Sequence, residues 1–214
     1  MHSEISQPDK PPMLHGVQLW VALPGADRDA RPDFRSHRDL PVLTGPGWQA
    51  QVLIGQLGEV RSPAHSFSPL CGIDLVLDAG GRVTLPLDPS FEYGLFVVSG
   101  RLACASSTVG VDQLSYLGQG RERVEVSSVS GARAMILGGA PFDEELVMWW
   151  NFVGRSHEEI VAFRSAWERR DPRFAPVVSR DERVMEAPPL PTVPLKPRPR
   201  RRSRTTTRPA PDGR

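Results

Sequence analysis

His2 and Glu4 stand two residues apart, and this pair is the first place where the chain could do chemistry. Along a β-strand, side chains two apart point to the same face. An imidazole and a carboxylate on one face form half of an iron-type site, which needs three or four N/O ligands and an open position. No second His pair follows to complete it. Zinc spacings, a nucleophile elbow and a phosphate loop are all absent, and Gly118-Gln119-Gly120 is a turn pair with no helix after it. His15, just ahead of an apolar run, fits either a residue orienting a metal ligand or a plain loop histidine. His37 and His65 fall in polar loops, and His157 falls in a first helical turn, so none is a candidate ligand.

Short strands must position this pair. The chain has 22 prolines and 19 glycines among 214 residues, and 39% of it is hydrophobic, which suits a β-rich core broken by frequent turns. Val17–Leu23 reads as a buried strand stopped by Pro24-Gly25, and Trp48–Ile54 as another, with a surface loop over 55–69. From Ile73 the pattern is dense. Strands are expected at 73–77, 82–87, 93–99, 101–105, 113–117, 124–129 and 132–137, most of them punctuated by glycine. Such spacing predicts an all-β antiparallel barrel or jelly roll with no βαβ alternation. One α-helix is expected over 157–169, with Ser156 as N-cap and Glu159 three residues on. Its Ile160, Phe163 and Trp167 share one face, expected to pack on the barrel.

A net charge of +1 excludes a wholly electrostatic nucleic-acid binder. The charge is uneven, because residues 179–214 alternate Pro with Arg and Thr and include Arg198–Arg204. This stretch is expected to be a disordered tail. It is either an inert solvated segment or a contact for nucleic acid or an acidic partner. Cys71 and Cys104 have no paired spacing and read as reduced, packed thiols. No apolar run approaches a membrane span and the opening residues are polar, so no membrane partner and a cytoplasmic location are expected.

Several blocks in order resemble the pirin family of bicupins. They are His2-Ser3-Glu4, His15–Pro24, Gly100, Leu137–Pro141, Val147–Val153 and the helix start at Ser156–Glu159. The resemblance implies two cupin barrels, the first binding iron through three His and one Glu. His2 and Glu4 match one of those His and the Glu, while the family's His-x-His pair has no counterpart here. The domains implied are a remnant of the N-terminal cupin over 1–25, a C-terminal cupin over 40–175 and the tail. The match also implies a truncated chain whose natural start lies upstream. Where a metal-binding cupin would carry a His pair, this chain has Leu85-Pro86-Leu87-Asp88, so the second barrel should hold no iron.

Two functions follow from the resemblance. One is a quercetin 2,3-dioxygenase-like enzyme acting on a small-molecule substrate, inactive while its metal site is incomplete. The other is a non-catalytic cupin module of the transcription co-regulator kind. The apolar strand at Leu19-Trp20-Val21, stripped of barrel partners, would invite association with a second copy.

Overall fold

The computed structural model describes residues 16–105, 107–174 and 185–197. The expected barrel is present and is built from β1 (Val42–Gly45), β2 (Trp48–Leu57), β3 (Val60–Arg61), β4 (Leu70–Leu77), β5 (Arg82–Pro86), β6 (Glu92–Cys104), β7 (Ser107–Gly110), β8 (Leu114–Leu117), β9 (Arg123–Ser127) and β10 (Ala132–Gly139). The strands run antiparallel in the order β1-β2-β4-β10-β6-β9-β5. β5 comes back against β2, so the sheet nearly closes. Period-2 patterning explains the closure, because alternate residues of each strand turn inward. Val52, Ile73, Leu75, Leu95, Val97 and Ile136 are all essentially inaccessible and form the centre of the core.

Some strand limits differ from expectation. β6 is one long strand that runs through Gly100, where a break was expected. Its first half pairs with β8 and its second half with β7 and β9, while β10 runs alongside it as far as Gly100. The chain bends rather than stops there, and the β10 ladder shifts register between Arg133 and Ala134. The loop expected over 55–69 begins later, because β2 runs on to Leu57 and turns back as β3.

Two compact units divide the described chain. The barrel occupies 26–142, and residues 16–25 group instead with those from Asp143 onward. The division between these compact units therefore falls at 142/143. The reason is a separate core: the hairpin β11 (Val147–Trp149) and β12 (Phe152–Gly154) with helix α1 (His157–Glu168) bury Val147, Phe152 and Ile160. Trp150 and Phe163 pack their rings 5.2 and 6.5 Å from that of Phe152. Ser156 caps α1 as expected, its Oγ accepting from the Glu159 N–H at 3.2 Å. Glu159 reaches one residue further back than a capping box requires and accepts from the Arg155 N–H at 2.7 Å.

Two expectations are corrected within this unit. Val17–Leu23 forms no strand, and Val17, Leu19, Trp20 and Val21 are exposed. Side chains tether the segment's C-terminal end. Arg155 donates to the Leu23 carbonyl at 2.5 Å, and Glu144 accepts from the Gly25 N–H at 2.6 Å while pairing with Arg155. The second correction concerns the tail. Residues 185–197 lie ordered along α1, with Ala187 buried and Leu190 and Leu195 against the aromatic core. Prolines deprive this stretch of self-pairing, so α1 satisfies its backbone. Trp167 Nε1 donates to the Met185 carbonyl (2.8 Å) and Arg164 to the Pro188 carbonyl (2.7 Å). Glu168 accepts from the Ala187 N–H (3.2 Å), and His157 Nδ1 accepts from the Leu195 N–H (3.2 Å). The basic run at 198–204 lies outside the described residues. No helix among the described residues is long and apolar enough to cross a membrane.

Candidate functional site

The end of the barrel where β2 turns into β3 opens into a cavity of about 650 Å³. Its wall is laid down by strand register. Cys71 on β4, Gly138 on β10 and Tyr93 on β6 are cross-strand neighbours. The Tyr93 ring lies on bare Gly138, where a Cβ would fall 2.3 Å from the ring. Gly55 lets β2 fold over the same edge, with a backbone φ of +74° and no room for a side chain against the Leu70 carbonyl. Leu57, Leu70 and Leu87 supply apolar lining, and Phe67, Phe91, Arg61 and Asp88 stand around the opening.

The polar groups here are settled by their neighbours. Burial raises the Cys71 thiol from 9.0 to about 11. Burial likewise pushes the Tyr93 phenol to about 12, and its oxygen accepts from the Asp88 N–H at 2.8 Å. Asp88 is held below the ordinary carboxylate range because Ser90 donates both its hydroxyl (2.6 Å) and its N–H (2.8 Å) to Oδ1. Arg61 donates to the neutral Gln56 amide oxygen at 2.6 Å. At neutral pH the lining therefore carries one cation, one engaged carboxylate, and a thiol and a phenol that keep their protons.

This predicts an alkaline weakness. In the unfolded chain the Cys71 thiol ionises near 9.0, whereas in the fold it holds its proton to about 11. The folded state thus binds the extra proton. Its stability is complete below pH 9 and declines as pH rises toward 11, by about 2–3 kcal/mol in total. Urea denaturation at pH 8 and at pH 10.5 should show the loss, and Cys71→Ala should flatten the slope between them. An unchanged slope in that variant would exclude the thiol as its source.

The incomplete remnant of an iron site, expected at His2 and Glu4, lies outside the described residues. Leu85 faces the core, while Pro86, Leu87 and Asp88 line the cavity. Among the described residues no three His, Cys, Asp or Glu side chains gather into a metal-holding group. With one thiol, one carboxylate and no imidazole among its described residues, the lining of this opening lacks the donors of a three- or four-ligand iron site. Residue patterns alone did not single out Arg61, Phe67, Phe91 or Tyr93, because the register that gathers them is set by the ladder. Gly138 beside Gly139 was the available signal, a gap in β10 that a neighbouring ring could fill.

The profile of the pirin C-terminal cupin domain matches residues 72–174. A Pseudomonas aeruginosa protein provisionally named a quercetin 2,3-dioxygenase is 42% identical over 190 residues, covering 89% of this chain and 60% of that protein. Human pirin is 23% identical over 168 residues, covering 75% of this chain and 57% of its own length. The solved structure of a quercetin 2,3-dioxygenase from Acinetobacter baumannii superposes with a TM-score of 0.74 at 33% identity, over 81% of this chain and 58% of that one. The chain thus spans about 60% of the length of these relatives.

Proposed function

This chain belongs to the pirin family, and from that membership we propose that its barrel is the metal-free half of a quercetin 2,3-dioxygenase-like protein. In this reading His2 and Glu4 are two of four iron ligands, and none of the described residues supplies the others. The donor set at the barrel opening carries the reading, since among the described residues Cys71 and Asp88 are joined there by no imidazole and no third Cys, Asp or Glu. Iron held by a complete ligand set would supply dioxygen activation toward a flavonol-type ring. Two ligands bind iron weakly, because affinity and geometry follow ligand number. The 214-residue chain by itself is therefore a non-catalytic cupin module. A cytoplasmic setting belongs to the same reading, as Cys71 and Cys104 are both free thiols.

Elemental analysis after iron loading and desalting tests this. The expected result is far less than one iron per chain and no oxygen consumption with quercetin. Stoichiometric iron that disappears in the H2A/E4A double variant would overturn the non-catalytic reading. Stoichiometric iron that disappears in C71S/D88N would overturn the metal-free assignment of the barrel.

A further inference from the structure

We propose that the barrel opening is a binding site for a planar aromatic anion such as an aromatic carboxylate, with Arg61 as its charge partner. The proposal deepens the metal-free reading of this barrel, and the two fail separately: iron content tests one and aromatic-anion binding the other. Size comes first. A cavity of about 650 Å³ falls within the range of small-molecule sites and holds a molecule of two fused rings with room to spare.

Shape and chemistry follow from the lining. Phe91 and Tyr93 present rings 6.0 Å apart at 37°, and Phe67, itself 42% exposed, is braced edge-on by His65 at 4.7 Å. Three aromatic side chains around one opening favour a flat π-system through offset and edge contacts. Leu57, Leu70 and Leu87 give the ring an apolar bed.

Charge selects the substituent. Arg61 has only the neutral Gln56 amide as a hydrogen-bond partner, and it forms no ion pair among the described residues. Asp88, which also lines the cavity, has Oδ1 bonded twice to Ser90. A guanidinium lining the same opening as these rings, with its fork unmatched by a carboxylate, is suited to bidentate capture of a carboxylate from solution. Cys71 and Tyr93 remain neutral at physiological pH and so do not repel an anion. No bond is made or broken at this site; it binds.

Calorimetric titration of the full 214-residue chain with 2-naphthoate, and separately with the neutral 2-naphthamide, tests the proposal. Naphthoate should bind with a Kd below about 1 mM. Arg61→Gln should weaken it about tenfold or more, the scale of a lost charge-assisted hydrogen bond. The same variant should leave naphthamide within about twofold. Phe91→Ala should weaken both ligands. Arg82→Gln, which removes an exposed cation paired with Glu125 on β9, should change neither. Three results would overturn the proposal: no naphthoate binding to the native chain, equal naphthoate affinity in Arg61→Gln, or an equal loss in Arg82→Gln.

Discussion

Gly55→Ala is expected to lower the melting temperature by about 10 °C or more, the largest effect of any single methyl group added to this barrel. Two penalties coincide at this position. The backbone sits at φ +74°, where an L side chain is strained. An added Cβ would also lie 1.7 Å from the Leu70 carbonyl oxygen and 2.9 Å from Cys71 Cα, both of them backbone and unable to swing aside. Strain and overpacking together amount to about 4 kcal/mol. Gly55 is bound into the fold on both sides, pairing with Cys71 on β4 and accepting from the Ser62 N–H at 2.9 Å. Gly80 separates the two penalties, since it has φ +76° but open space around it. Gly80→Ala should therefore cost only about 1 kcal/mol. Thermal melts by circular dichroism decide the matter, and equal losses in the two variants would refute the clash argument.

Ile160→Ala should destabilise the helical unit by about 3 kcal/mol. Ile160 is fully buried in α1, with Val147 and Phe152 of the hairpin in the same core and its Cδ1 directed at Gly154. Removing three carbons there leaves a cavity walled by rings that cannot collapse into it. The loss should also loosen residues 185–197, because Arg164, Trp167 and Glu168, the groups that hold them, sit on the same helix. Amide exchange reads both effects, with protection in α1 and at Ala187 expected to fall by about two orders of magnitude. Unchanged exchange at Ala187 would show that the proline-rich stretch is held independently of the helix core.

Much of the barrel was legible because its physics is local. β5 and β9 alternate buried and more exposed residues cleanly enough for period 2 to identify them, and β4 alternates over its last five residues. Ser156 and Glu159 announced the start of α1 for the same reason. Val17–Leu23 misled because an apolar run looks the same whether a ladder or a few side chains hold it; here Arg155 and Glu144 do the holding, well over a hundred residues away in sequence. Residues 185–197 misled in the opposite direction. Their composition gives no reason to fold alone, and the order comes from Trp167 and Arg164 meeting their carbonyls. The cavity was least legible, since Arg61, Tyr93 and Cys71 become neighbours only once register and the fold-back at Gly55 are fixed.

The helical unit is discontinuous along the chain, and this gives translation a timetable. The barrel's stretch, 26–142, is contiguous and has been synthesised in full before the hairpin, α1 or the proline-rich strap is made. Residues 16–25 are synthesised before the barrel. Their tethers, Glu144 and Arg155, follow the entire barrel, so the Gly25 N–H and the Leu23 carbonyl lack these partners until the barrel stretch has been made. A ribosome stalled between residues 142 and 155 would hold a chain whose barrel stretch is complete and whose earliest described segment still has nothing to grip.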